Sequence, residues 1–126
     1  MADQVEQKPE NSLKRNSEIK TIDPVRPDQQ VIEQAADIVK NGGIVIFPTR
    51  TLYGMGVDAF NENAVSRVFC FKQRAVDKPL SVLVSTIDAV AALAADIPDV
   101  ARRLMQNFWP GRLTIVFSAW PDVPGG

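Results

Sequence analysis

The chain contains the run Ile44-Val45-Ile46-Phe47-Pro48-Thr49-Arg50-Thr51-Leu52-Tyr53-Gly54-Met55-Gly56. Its first four residues are continuously apolar and mostly β-branched, which is typical of a strand buried on both faces. Pro48 ends that strand, and a loop framed by proline and glycine follows it. The run therefore predicts a buried strand that delivers polar side chains to a loop.

The loop is rich in hydroxyl groups. Thr49 and Thr51 are two positions apart on an extended segment, so their side chains are expected to project the same way, with Tyr53 following. Such groups can bind the carboxylate, amine or hydroxyl of an amino acid, and Gly54 and Gly56 allow a ligand to approach the backbone closely. Taken by itself, the loop is better explained as a turn that satisfies its own hydroxyls, and only the flanking sequence makes ligand binding the favoured interpretation.

A second run, Phe71-Lys72-Gln73-Arg74-Ala75-Val76-Asp77-Lys78-Pro79-Leu80, supplies fixed positive charge. Arginine presents a planar fork suited to phosphate oxygens, and lysine a mobile point charge. The alternative is that Lys72 and Arg74 only complement the negative end of a helix. Hydroxyls for a small polar substrate, beside cations for phosphate, favour an enzyme that activates a carboxylate with a nucleotide.

The remaining pattern alternates strands with helices, which predicts α/β layers. Asp28 is a plausible N-cap for a helix to Lys40, and Pro98 suits the first turn of a helix to Asn107. The other predicted elements are strands at 18–22, 80–84 and 113–117 and helices at 61–72 and 87–94. Residues 1–17 are polar and are expected to form a disordered tail.

These runs, together with Trp109-Pro110-Gly111-Arg112-Leu113-Thr114, resemble the YrdC-like family of threonylcarbamoyl-AMP synthases. The family order of Gly-Gly, apolar strand, P-T-x-T-x-Y-G-x-G, K-x-R, P-L and W-P-G-x-L-T is present. The resemblance implies a YrdC/RibB-like twisted mixed sheet flanked by helices, with residues 18–126 forming the N-terminal portion of the domain. It also implies synthesis of threonylcarbamoyl-AMP and pyrophosphate from L-threonine, bicarbonate and ATP, for threonylcarbamoyladenosine (t6A) in tRNA.

The resemblance carries roles over to particular residues. It implies an L-threonine site formed by Thr49, Thr51, Tyr53 and Thr114. It implies a nucleotide site formed by Lys72, Arg74 and Lys78, in which Lys72 and Arg74 are catalytic because they stabilise charge at phosphorus. ATP is then a substrate that carries its own Mg²⁺, and no protein-bound metal is expected.

The chain departs from the family pattern in several places. Arg50 replaces a residue that is usually acidic, Leu83 stands where many relatives have a histidine, and Arg112 replaces a frequent proline. The family's later S-A-N-x-S-G loop, part of its nucleotide and threonine site, has no counterpart here. We therefore expect a truncated form or an N-terminal half, with little synthase activity by itself.

Composition narrows the alternatives. The net charge of −1 gives no bulk argument for nucleic acid binding. Lys72, Arg74 and Lys78 would nevertheless also suit a double-stranded RNA-binding module. A third interpretation is an inactive fragment. The chain has no histidine and one cysteine, Cys70, which we expect to be a buried structural thiol. No apolar run suggests a membrane segment, so we expect a cytoplasmic protein whose partners are the substrates, tRNA or other t6A-pathway proteins.

Overall fold

The computed structural model describes residues 17–75 and 78–124. The helices α1 and α2 span Gln29–Lys40 and Glu62–Lys72, and the strands β1 and β2 span Val45–Pro48 and Tyr53–Gly56. A 3₁₀ helix at Asp88–Ala92 and the helix α3 at Asp99–Phe108 follow. The combination of helices with a small sheet confirms the α/β class. The predicted tail lies, apart from Ser17, outside the described residues.

Helix α1 begins and ends where its local sequence predicts. The Asp28 carboxylate accepts the N–H of Gln30 at 2.8 Å, which satisfies one of the free donors at the helix start. At the other end Gly42 adopts a φ of 75°, a left-handed conformation that glycine takes without a steric penalty. The chain therefore turns sharply out of α1 and enters β1.

Helix α2 contributes four of the eight buried apolar side chains among the described residues. Its N-cap is Asn61, whose side-chain oxygen accepts the N–H of Ala64 at 3.0 Å. The inward face consists of the residues predicted for it, Ala64, Val65, Val68 and Phe69. Arg67 donates a hydrogen bond from Nη2 to the carbonyl oxygen of Gly42, which ties α2 to the turn between α1 and β1.

The strands β1 and β2 form an antiparallel hairpin, in which Val45 pairs with Gly56 and Pro48 with Tyr53. A strand is present where the apolar run predicts one, but it is not buried on both faces, because burial alternates along β1 and Ile46 is 63% exposed. Strand β2 falls in the segment that was predicted to be a loop framed by proline and glycine. A Cβ at Gly54 would lie 2.8 Å from Cζ of Phe47, and one at Gly56 would lie 2.9 Å from Cε1 of the same ring. The glycines are thus strand residues that leave room for the Phe47 ring.

A second apolar cluster forms around α3. Met105 is fully buried, and Val90 and Ala94 from the region of the 3₁₀ helix pack against it. Partly buried side chains, including Ile97 and Trp109, complete the cluster. The C-terminal half of the described chain therefore has a small core of its own.

Several predicted elements are wrong. Residues 18–22, 80–84 and 113–117 are not strands, and the helix predicted at 87–94 is a short 3₁₀ helix. Alternating polar and apolar residues mark an extended backbone, but a strand also needs a partner with which to form a ladder, and alternation does not supply one. Near the third segment the described pairing is an isolated bridge between Ala94 and Ala119.

The prediction for Cys70 is also wrong, because its side chain is exposed. The residue lies in an apolar stretch of sequence, but α2 turns Val65, Val68 and Phe69 inward instead. Helical geometry buries one stripe of positions and leaves their neighbours in solvent, whatever their polarity.

The contact between Phe47 and the glycines can be tested by mutation. We expect Gly54→Ala to lower the free energy of unfolding by about 1–3 kcal/mol, because the new methyl group overlaps the Phe47 ring. The measurement is urea unfolding, with the same change made in a Phe47→Leu background as control. If Gly54→Ala costs as much there as in the wild type, the ring is not the reason for glycine at this position.

Candidate functional site

Thr49 closes the turn of the hairpin. Its backbone N–H donates to the carbonyl oxygen of Leu52 at 3.1 Å, and its hydroxyl donates to the same oxygen. The hydroxyl oxygen also accepts, at longer range, the N–H groups of Thr51 at 3.4 Å and of Leu52 at 3.3 Å. The one proton of the Thr49 hydroxyl is therefore already committed to the protein backbone.

Thr51 is placed differently. It lies with Arg50 at the tip of the hairpin, between the residues that close it, and both are exposed. Within the described residues the Thr51 hydroxyl has no hydrogen-bond partner, so it remains available to a ligand. Tyr53 begins β2 and is 78% exposed. The structure thus separates the two threonines that the sequence analysis had treated as equivalent.

The end of α2 brings Lys72 and Arg74 together. Lys72 is the last helical residue, and Gln73 adopts φ 47° and ψ 39° in the left-handed region. The N–H of Gln73 donates to the carbonyl of Cys70 at 3.2 Å and that of Arg74 to the carbonyl of Phe69 at 3.0 Å. These two bonds are those of a Schellman C-cap, which reverses the chain at the helix end.

The Arg74 side chain then holds the segment that follows. Its Nε donates to the carbonyl oxygen of Lys78 at 3.3 Å and its Nη2 to that of Pro79 at 2.9 Å. A guanidinium carries five N–H groups, so these two bonds leave donors available for an anion. Arg74 therefore has a structural role that sequence analysis did not foresee, alongside its charge.

The three predicted nucleotide residues share one depression on the surface. It is an open cavity of about 560 Å³, lined by Lys72, Gln73, Arg74, Ala75 and Lys78. Its cations are exposed, and no carboxylate is among these lining residues. Such a surface suits an anion of several charges better than a neutral ligand.

Trp109 and Thr114 occupy the segment after α3. The indole N–H of Trp109 donates to the carbonyl oxygen of Leu113 at 2.7 Å, while the ring packs against the Met105 cluster. Trp109 is therefore a structural residue. Thr114, which follows Leu113, is exposed. Within the described residues no hydrogen bond joins Thr114 to the hairpin tip or to the cationic depression.

The residues that depart from the family pattern all lie on the surface. Leu83 is 79% exposed, and Arg50 and Arg112 are exposed as well. No group of three or more histidine, cysteine, aspartate or glutamate side chains in the described residues is arranged to hold a metal ion. Among the helices described, none has the length and apolar character needed to cross a membrane.

Known proteins share most of the elements described above. A family model for Sua5, YciO and YrdC, described as "Telomere recombination", matches residues 37–125, which include the hairpin, the end of α2 and the segment after α3. The chain belongs to this family. The match covers both the hydroxyl-bearing hairpin and the cationic depression, so these two features lie inside the family's own domain.

Individual relatives carry a more specific name. The chain is 40% identical over 99 residues to the threonylcarbamoyl-AMP synthase of Pyrococcus abyssi and 38% identical over 105 residues to that of Bacillus subtilis. It also matches the crystal structure of P. abyssi Sua5 complexed with L-threonine, with a TM-score of 0.75 and 40% identity over 79% of this chain. The chain spans 29%, 30% and 29% of the matched chains in these three comparisons, less than a third in each case.

Unfolding measurements can distinguish the roles of the two threonines. We expect Thr49→Val to lower the free energy of unfolding by about 1 kcal/mol or more, because the carbonyl of Leu52 loses a donor and the turn loses an acceptor. Thr49→Ser keeps the hydroxyl and should be close to neutral. Thr51→Val, the matched control at the exposed tip, should change stability little; an equal loss at both positions would contradict the assignment.

Proposed function

We propose that the chain supplies the threonine-binding hairpin and the phosphate-binding cations of a threonylcarbamoyl-AMP synthase. In this reaction L-threonine, bicarbonate and ATP give threonylcarbamoyl-AMP, pyrophosphate and water. The observation that carries the proposal is the convergence of Lys72, Arg74 and Lys78 on one depression, in a chain 40% identical to a relative of that name. The product would serve the formation of t6A in tRNA.

The cationic depression would hold the triphosphate of ATP. During adenylation the carbamate oxygen attacks the α-phosphorus, and negative charge grows on the departing pyrophosphate. Arg74 is held by its bonds to Lys78 and Pro79 before the reaction begins, so it would stabilise that charge with little reorganisation, and the exposed ammonium of Lys72 would add a mobile positive charge beside it. Lys78 extends the positive surface, and Mg²⁺ would arrive on the nucleotide, coordinated mainly by phosphate oxygens.

The hairpin tip would hold L-threonine. Thr51 contributes the hydroxyl that the turn does not use, and Tyr53 offers a phenol on the adjacent strand. The amino group of L-threonine attacks the carbon derived from bicarbonate, which gives the carbamate and requires no covalent attachment to the protein. Holding the two substrates side by side accounts for much of the rate that such a site can provide.

The chain covers less than a third of the relatives compared above, so the proposal concerns these two binding regions within a larger activity. None of those relatives is named for RNA binding, and no observation on the described residues favours the double-stranded RNA alternative. Salt distinguishes the two readings, since backbone-phosphate binding to RNA weakens steeply as salt rises.

The phosphate role of Arg74 can be tested by ATP titration. We expect Arg74→Ala to raise the dissociation constant for ATP with Mg²⁺ by roughly 10- to 100-fold, the scale of one lost hydrogen bond to a charged group. Arg74→Lys keeps the charge but loses the planar guanidinium, so its dissociation constant for ATP should lie between those of the wild type and Arg74→Ala. Arg50→Ala removes an exposed arginine outside the depression and serves as control; equal, small effects at both positions would refute the role.

The threonine role can be tested by calorimetry with L-threonine. We expect Thr51→Val to weaken L-threonine binding by about 1–3 kcal/mol, because a polar group of the ligand is left unpaired. ATP binding should be unchanged in the same variant. If ATP binding falls while L-threonine binding stays at the wild-type value, the hydroxyl belongs to the nucleotide site and the proposed division is wrong.

A further inference from the structure

Gln73 has an unusual backbone conformation for its residue type. Among the described residues it is the one non-glycine residue with a positive φ, at 47°. The left-handed region is unfavourable for an L-amino acid other than glycine, asparagine or aspartate, because Cβ approaches the following carbonyl oxygen. By contrast, the chain places glycine at the comparable position after α1, where Gly42 has a φ of 75°.

This conformation determines where the two cations point. If residue 73 were helical, Lys72 and Arg74 would lie two positions apart on α2, and residues at that spacing do not share a helix face. The left-handed turn reverses the chain instead, and both residues line the same depression. A continued helix would send one of them away from it.

Arg74 in turn brings Lys78 to the same place. Its guanidinium donates to the carbonyl oxygens of Lys78 and Pro79, at 3.3 and 2.9 Å, and the N–H of Lys78 donates to the carbonyl oxygen of Ala75 at 3.1 Å. Those bonds keep Lys78 beside Lys72 and Arg74. Strained backbone persists where the surroundings hold it in place, and it is concentrated at functional sites.

We propose that Gln73 is a positioning residue whose left-handed backbone, rather than its side chain, aligns Lys72, Arg74 and Lys78 for a polyphosphate ligand. The inference rests on the phosphate role proposed above for these cations. It names a residue that the motif's chemistry overlooks, since the middle position of K-x-R carries no charge.

The test compares substitutions that differ in their tolerance of the left-handed region. Gln73→Gly and Gln73→Asn accept it readily, Gln73→Ala removes the side chain while keeping a similar backbone cost, and Gln73→Val resists it because of its β-branch. Ser66→Val places the same valine on the exposed face of α2 as a matched control. The probe is inorganic pyrophosphate, titrated into the 126-residue chain and followed by amide and arginine-side-chain NMR signals.

We expect Gln73→Val to weaken pyrophosphate binding at least tenfold and to shift the Arg74 Nε–H signal towards that of a solvated guanidinium. The glycine, asparagine and alanine variants and Ser66→Val should stay within about twofold of the wild type. If Gln73→Val unfolds the chain, Gln73→Thr, which is also β-branched but can bond its own backbone, takes its place.

Two results would overturn the inference. One is wild-type affinity together with an unchanged Arg74 signal in the β-branched variant; the other is a loss in Gln73→Ala as large as in Gln73→Val, which would assign the effect to the side chain. Failure of the wild-type chain to bind pyrophosphate would instead refute the proposed phosphate role. In that case the Arg74 Nε–H signal alone decides whether Gln73 positions the segment.

Discussion

The contact between the Phe47 ring and two glycines on the neighbouring strand is the constraint on which the hairpin depends. Gly54 lies directly opposite Phe47 and Gly56 lies two positions further on the same face, so one ring covers both. An aromatic ring packed over cross-strand glycines shields a backbone that would otherwise be exposed and weak. With β1 and β2 held in this register, residues 49–52 must form the turn, and Thr51 must lie at its tip.

The end of α2 shows a comparable constraint of a different kind. The buried face of α2, centred on Val65 and Val68, fixes the direction of the helix, and the left-handed residue after Lys72 fixes where the chain goes next. The cations are therefore positioned by a packed helix and a backbone reversal, and their exposure to solvent costs the fold little. A charged site can be built cheaply in this way, because no cation has to be buried to be oriented.

Local signals in the sequence predicted the elements whose causes are local. Asp28 and Asn61 cap helices through bonds to residues two or three positions away, so their pattern is sufficient to place α1 and α2. Strand β2 was missed because its glycines make sense only once Phe47 is opposite them, and residues 80–84 and 113–117 were called strands without knowledge of a partner. The motif grouped Lys72, Arg74 and Lys78, and the structure places these residues around one depression. The sequence gives no sign that Gln73 adopts the left-handed region.

In both the hairpin turn and the segment at the end of α2, some polar groups hold the backbone in place while others remain free to bind a ligand. In the hairpin, different residues have these two roles: the Thr49 hydroxyl donates to the carbonyl oxygen of Leu52, while the Thr51 hydroxyl has no partner among the described residues. At the end of α2, one residue has both roles: the Arg74 guanidinium uses two N–H groups to bind the carbonyl oxygens of Lys78 and Pro79, and its other N–H groups are left for a ligand. Loss of ligand binding after mutation of Thr49 or Arg74 therefore does not by itself show contact with the ligand. Only the comparison with stability, and with variants that keep the backbone bonds, separates the two contributions.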